Sequence, residues 1–156
     1  MKRPYTVDFY QKRVAQLYKK IKNLNITTDI IVGFPGETEK DFEKTLQMVK
    51  KCQFGKVHIF PFSKREGTEI FGAKDEVPKE VIRGRVERLK RVALQVQKRK
   101  YQDFFGKKFE VLVERKKDGF WTGYTENYIP VKIGSNKNLK NQIIKIKLTD
   151  KNFVLK

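Results

Sequence analysis

Cysteine and histidine are almost missing from this sequence. Cys52 is the single cysteine and His58 the single histidine among 156 residues. One thiol excludes an internal disulfide, and one thiol with one imidazole cannot assemble the ligands of a zinc or iron–sulfur site. We therefore predict that this chain holds no metal by itself, and we interpret Cys52 as a small apolar side chain at the end of a helix.

Long apolar runs are missing as well. No stretch approaches the ~18 apolar residues that a membrane-spanning helix needs, and the first residues lack the apolar segment of a signal peptide. The sequence therefore predicts a cytoplasmic protein with no membrane partner.

Acidic residues are few in proportion to basic ones. The chain has 36 lysines and arginines against 18 aspartates and glutamates, a net charge of +18, and the excess is spread along the whole sequence. Such a charge predicts a polyanion as the partner. The alternative is that the charge reflects a lysine-rich proteome, and that the basic side chains of this chain only face solvent.

Ile26 to Glu37 is the most informative stretch of the chain. Its β-branched run Ile30-Ile31-Val32 ends in Gly33-Phe34-Pro35-Gly36, a turn that opens a helix. This pattern predicts a buried parallel strand leading into a loop at an active site. Thr38 is predicted to cap the helix that follows, as Thr6 is predicted to cap the first helix of the chain.

Apolar spacing predicts the order helix, strand, helix, strand, helix in the first two thirds of the chain. The helices are predicted from Thr6 to Leu24, from Thr38 to Lys51 and from Pro78 to Lys100, and the strands at 26–32 and 57–62. A helix between two strands suits a parallel crossover. Two parallel strands cannot bury both their faces, so residues 1–104 are predicted to be part of a larger α/β barrel or open sheet.

The third of these helices is predicted to have a strongly basic outer face. Its apolar stripe includes Leu89, Ala93 and Val96, and its arginines, Arg85 among them, are assigned to the solvent side.

Beyond Gly106 the pattern alternates, which is typical of strands. Strands are predicted at 109–113, 120–124, 128–133, 143–148 and 153–155, with an Asp-Gly hairpin turn at 117–119. We therefore predict a small all-β barrel over residues 106–156. It has 12 basic and 5 acidic residues with interleaved aromatic rings, a composition that suits phosphate contact and base stacking in RNA. The alternative is that these rings fill the core of the barrel.

Three segments, 29–37, 60–68 and 123–128, resemble the methylthiotransferase family of radical S-adenosylmethionine enzymes, and Lys2-Arg3-x-Tyr5-Thr6 resembles the loop after that family's fourth barrel strand. The resemblance covers essentially the whole chain. It implies an incomplete TIM-like radical barrel over residues 1–104, followed by a TRAM-type RNA-binding barrel over residues 106–156. Gly123 to Tyr128 resembles the subgroup that thiomethylates threonylcarbamoyladenosine next to the anticodon of transfer RNA, whereas related enzymes modify isopentenyladenosine or a ribosomal protein.

The resemblance also implies cofactors that this chain cannot hold alone. The complete enzymes use S-adenosylmethionine and two [4Fe–4S] clusters, whose cysteine motifs do not occur in this sequence. We therefore interpret the chain as the C-terminal part of such an enzyme, inactive alone, with the remaining N-terminal part and the anticodon stem-loop of tRNA as its partners.

Site residues follow from the same resemblance and from the basic composition. No catalytic residue and no metal ligand is predicted. The predicted cofactor wall comprises Arg3, Ile31, Val32, Gly33 and Phe62, and Glu37 is either a further contact or an acid that stabilises the next helix. The predicted RNA-binding residues are Arg65, Lys107, Lys108, Trp121, Tyr124, Tyr128 and Lys132.

A second hypothesis belongs to a different functional class. The chain would then be a stand-alone RNA-binding or adaptor protein, in which a remnant barrel half supports the basic module. An upstream reading frame that encodes the three-cysteine motif would favour the enzyme over this alternative.

Overall fold

The computed structural model describes residues 3–155, so the predicted match at Lys2 lies outside the described residues. In chain order the elements are α1 (Val7–Lys20), β1 (Thr27–Val32), α2 (Glu39–Cys52), β2 (Lys56–Pro61), α3 (Lys79–Gln102), β3 (Lys108–Lys117), β4 (Phe120–Thr125), β5 (Pro130–Ile133) and β6 (Ile143–Lys147). We call α1 to α3 with the two strands between them the α/β part, and residues 106–155 the β part. Within residues 3–155 no helix is long and apolar enough to cross a membrane.

The α/β part contains the predicted parallel crossover. Strands β1 and β2 pair in parallel, from Thr27 opposite Lys56 to Val32 opposite Pro61, and α2 connects them. Ile30 and Val32 are buried in a core with Phe42, Leu89 and other helix residues. Ile31 and Phe60, which lie opposite each other in the pairing, are exposed on the other face of the sheet. In the described part of the chain this sheet has two strands, so the larger barrel remains a prediction.

Both predicted helix caps of the α/β part are confirmed. The hydroxyl of Thr6 accepts a hydrogen bond from the amide of Phe9, and Thr38 forms a reciprocal capping box with Asp41. The first helix is shorter than predicted: α1 ends at Lys20 because Ile21 is already extended, so Leu24 lies in the following loop. Pro78 stands immediately before α3, where its missing N–H is not needed.

Helix α3 departs from its prediction at one arginine. Arg85 was expected on the basic outer face, but its side chain is 6% exposed. It is four residues before Leu89 and therefore shares the inward-facing stripe of the helix. The same helix contributes to two cores, because Leu89 and Val96 belong to that of the α/β part and Tyr101 to that of the β part.

The β part is a four-stranded antiparallel sheet in the order β5-β4-β3-β6. The predicted hairpin turn is confirmed, since Asp118 (φ 49°) and Gly119 (φ 81°) both adopt left-handed backbone. The predicted strand at 128–133 begins only at Pro130, because Tyr128 has φ 62° and cannot continue a strand. The segment 153–155 is not a strand; Phe153 forms one isolated bridge to Val131.

Candidate nucleic-acid interface

The alternation along β4 separates its aromatic residues into two groups. Trp121 points inward, is 8% exposed and packs in the core of the β part. Phe120, which was not among the predicted site residues, points outward and is 44% exposed. Tyr124 lies on the same outward face, four residues further along. For Trp121 the structure therefore favours the alternative, a ring that fills the core, because no base has access to it.

Cations surround the outward rings of β4. A cavity of about 380 Å³ is lined by Phe120, Tyr124, Arg115, Lys117 and Lys132 among others. The ammonium of Lys132 lies 5.4 Å from the centroid of the Phe120 ring. We call these five residues the basic aromatic face. Lysine and arginine pair with phosphate, and flat rings stack on bases, so this face has both chemical components of single-stranded RNA binding.

Gly123 lets the two central strands approach closely beneath this face. A Cβ at Gly123 would lie 2.1 Å from the carbonyl oxygen of Leu112. A bulge in the neighbouring strand, between Val113 and Arg115, adds Glu114 as an extra residue at the same level. Gly123 thus has a packing role, and the bulge re-aims the side chains at the rim of the face.

The loop after β4 connects the β part to the α/β part. The side-chain amide of Asn127 donates to the carbonyl of Asn23 (2.9 Å), and Asn25 donates to the carbonyl of Asn127 (2.9 Å). Lys107 adds a third bond, to the side-chain oxygen of Asn23 (3.1 Å). These three bonds form a clasp. The next residue after Asn127, Tyr128, donates its amide to the carbonyl of Thr125 (2.8 Å), has left-handed backbone and is 75% exposed.

A large cavity opens beside this clasp, where the two parts meet. Its volume is about 930 Å³, and residues of both parts line it. Lys22, Lys56 and His58 lie on the side of the α/β part, and Tyr124, Tyr128, Glu114 and Glu126 on the side of the β part. Burial raises the pKa of Tyr101, another lining residue, above its ordinary value. We call this space the junction cavity.

The remaining predicted RNA contacts are dispersed. The ammonium of Lys107 lies 5.3 Å from the centroid of the Phe104 ring. Lys108 stands opposite Lys147 in the backbone pairing of β3 with β6. Arg65 is exposed in the loop between β2 and α3. The structure thus places Tyr124 beside Lys132 in one cavity and beside Tyr128 in the junction cavity, and leaves Arg65, Lys107 and Lys108 on other elements.

The turn after β1 is organised by an ion pair that was not predicted. Glu37 accepts a hydrogen bond from the amide of Gly33 (2.9 Å) and one from the guanidinium of Arg85 (2.8 Å). Arg85 also donates to the carbonyl of Glu37 (3.0 Å). The Glu37 carboxylate therefore joins the turn to α3, a role that differs from both of its predicted functions, a cofactor contact and a stabiliser of the next helix. The spacing from Leu89 was the signal that could have located Arg85 inside.

The residues of the predicted cofactor wall lie in three different surroundings. Arg3 and Ile31 line one cavity of about 590 Å³ between α1, β1 and α2. Val32 is fully buried on the helix side of the sheet, and a Cβ at Gly33 would lie 2.4 Å from Ile82 of α3. Phe62 meets Phe34 edge to face, with ring centroids 5.3 Å apart. In residues 3–155 no group of three or more His, Cys, Asp or Glu side chains is placed to hold a metal ion.

The basic aromatic face beside a parallel α/β unit makes this chain a candidate RNA-binding protein. Comparison with known proteins narrows the class of protein further. No family model matches the sequence. A threonylcarbamoyladenosine tRNA methylthiotransferase, MtaB, of Bacillus subtilis is 34% identical over 153 residues, 95% of this chain and 34% of that protein. A tRNA-2-methylthio-N(6)-dimethylallyladenosine synthase of Clostridium novyi is 39% identical over 155 residues, 97% of this chain and 34% of that protein.

A synthase of the same name from Acetivibrio thermocellus is 37% identical over 151 residues, 95% of this chain and 32% of that protein. The relatives that match nearly the whole chain are thus tRNA methylthiotransferases. The chain spans about one third of the length of these curated relatives.

Proposed function

We propose that this chain is part of a tRNA methylthiotransferase that adds a methylthio group to a modified adenosine next to the anticodon. Identity of 34% to 39% over at least 95% of the chain, to enzymes with such names, is the observation that carries the proposal. In this proposal residues 1–104 are a portion of the radical S-adenosylmethionine barrel, and residues 106–156 are a TRAM-like RNA-binding barrel. The protein would act in the cytoplasm, together with the remaining part of the enzyme.

The β part would contribute RNA binding to that enzyme. The basic aromatic face supplies three cations and two outward rings on neighbouring strands. Lys107 and Lys108 extend the positive charge to the start of β3. The anticodon stem-loop, which combines phosphates with unstacked bases, is the ligand that this combination suits.

The α/β part would contribute one wall of the S-adenosylmethionine site. When bound with its clusters, this cofactor supplies the radical chemistry of the reaction. The apolar side chains of Ile31 and Phe62 suit a flat adenosine, and Arg3, in the cavity with Ile31, suits the cofactor carboxylate. Val32 and Gly33 shape the wall with their backbone, because Val32 is buried on the helix side and a side chain at Gly33 would meet Ile82.

The target nucleoside proposed first is threonylcarbamoyladenosine, the nucleoside in the name of the Bacillus subtilis relative. Dimethylallyladenosine is the second candidate, since the relatives from Clostridium novyi and Acetivibrio thermocellus bear its name. Anticodon stem-loops that carry one or the other modification, titrated against the chain, would separate the two by affinity.

The RNA-binding role is tested by the dependence of tRNA affinity on salt. Each phosphate contact adds about 0.7 to 0.9 to the slope of log affinity against log salt. The triple substitution Lys107→Ala, Lys108→Ala and Lys132→Ala should weaken binding and reduce this slope by about 2. A matched control replaces Lys40, Lys50 and Lys51, exposed lysines of α2, with the same loss of charge. Equal effects of the two triple variants would refute a localised RNA surface.

A further inference from the structure

The two carboxylates that line the junction cavity have no cationic partner among the described residues. They are Glu114 and Glu126, both exposed, whereas Glu110 on the same strand pairs with Lys145 at 3.5 Å. Glu114 is the extra residue of the β3 bulge, a device that re-aims a side chain. In a chain of net charge +18, unpaired acids next to a phosphate-binding surface oppose RNA unless they accept hydrogen bonds from it.

These acids accompany two aromatic rings. Tyr124 and Tyr128 have ring centroids 6.1 Å apart at 47°. Both rings and both carboxylates line the junction cavity of about 930 Å³ and an adjoining cavity of about 260 Å³. Tyr124 also lines the cavity of the basic aromatic face, so one ring is common to all three spaces. An RNA strand bound on the basic aromatic face would therefore continue past Tyr124 to Glu114 and Glu126.

The carboxylates of Glu114 and Glu126 suit the bases of RNA and not its phosphates. Carboxylates accept hydrogen bonds from N–H groups and repel phosphate. Among the four RNA bases, guanine presents two adjacent N–H donors, at N1 and N2, which match the two oxygens of one carboxylate. Lys22 and Lys56, across the junction cavity, supply positive charge for the neighbouring phosphates.

We propose that Glu114, Glu126 and Tyr128 form a base-reading site for an unpaired guanine of the bound RNA, with the base stacked on Tyr128 and its N–H edge on a carboxylate. The inference rests on the proposed RNA-binding function and deepens it: the basic aromatic face gives affinity, and this site gives sequence preference.

The test is fluorescence anisotropy of the whole chain with three labelled RNA hexamers. One consists of uridine alone, and in the other two a single internal uridine is replaced by guanosine or by inosine. The guanine hexamer should bind about tenfold more tightly than the uridine hexamer. Inosine, which lacks the 2-amino group, should lose most of that preference. Glu126→Gln and Glu114→Gln should weaken binding of the guanine hexamer and strengthen binding of the uridine hexamer, because a repulsive charge is removed.

The control and the ring variant make the result decisive. Asp150→Asn removes the same charge from an exposed residue of the β part that lines neither cavity, and should strengthen all hexamers equally. Tyr128→Asn keeps a residue that accepts left-handed backbone and should weaken guanine binding.

Three outcomes would overturn the proposal in distinguishable ways. Equal effects of Glu126→Gln and Asp150→Asn on every hexamer would mean that the acids merely repel phosphate. Loss of self-association in light scattering after Tyr128→Asn, with RNA affinity unchanged, would make the patch a protein contact. No binding of any hexamer or of tRNA by the parent chain would refute the proposed function itself.

Discussion

Removal of the Arg85 guanidinium tests how the turn after β1 is held. We expect Arg85→Met to lower the free energy of unfolding by about 3 kcal/mol, since breaking a buried ion pair from one side costs about 3 to 5 kcal/mol. The lower value applies because Glu37, whose side chain is 12% exposed, keeps its bond from the Gly33 amide. Methionine retains the aliphatic volume of the arginine stem, so the loss reports mainly the hydrogen bonds of the guanidinium, two to Glu37 and a longer one to Glu39 (3.3 Å).

Urea unfolding followed by circular dichroism measures this change. With a denaturant dependence of about 2 kcal/mol per molar urea, the unfolding midpoint should fall by about 1.5 M. The matched control is Arg83→Met, the same substitution at an exposed position of the same helix, which should change stability by less than about 0.5 kcal/mol. The double variant Arg85→Met with Glu37→Gln should be more stable than the sum of the single effects, because no unpaired carboxylate remains.

Two results would refute this reasoning. One is an Arg85→Met variant as stable as Arg83→Met, which would mean that solvent compensates the buried pair. The other is strict additivity in the double variant, which would mean that Arg85 and Glu37 stabilise the fold independently.

Four further outcomes are expected. Gly33→Ala should cost at least about 2 kcal/mol in urea unfolding, because its Cβ would lie 2.4 Å from Ile82 at φ +80°, and Ile82→Ala should recover part of the loss. Burial raises the pKa of Tyr18 to about 12 from its ordinary 10.0, so stability should fall as pH rises from 10 to 12, and Tyr18→Phe should lose that dependence. Buried Cys52, whose pKa burial raises, should resist alkylation in the folded chain, and anaerobic reconstitution should give no cluster absorbance. The open edges of the parallel sheet should cause concentration-dependent association in light scattering, whereas a strict monomer would contradict this.

Local signals in the sequence were sufficient for most of the fold. Threonine before an amphipathic run marked the starts of α1 and α2, and the Asp-Gly pair marked the β3–β4 hairpin. Such signals act within a few residues of the chain, so a single sequence displays them. The parallel pairing of β1 with β2 followed from the helix between them and from handedness rules.

Features that depend on distant partners were not predictable in the same way. Arg85 lies inside because Glu37, 48 residues earlier, accepts its hydrogen bonds, and charge alone assigned it to the surface. Alternation in β4 required one of Phe120 and Trp121 to be inside, but the choice depends on how β4 packs on the rest of the sheet. The clasp through Asn127 joins residues more than 100 positions apart in sequence, so no local pattern indicates it.

The position of helix α3 between the two cores affects how the chain unfolds. Its 24 residues form a rod of about 36 Å. Because one end of this rod is embedded in each core, fraying of either core removes packing from a helix that the other core needs. The amides in the middle of α3 should therefore exchange with deuterium only through global unfolding, and calorimetry should record one cooperative transition for a molecule with two cores.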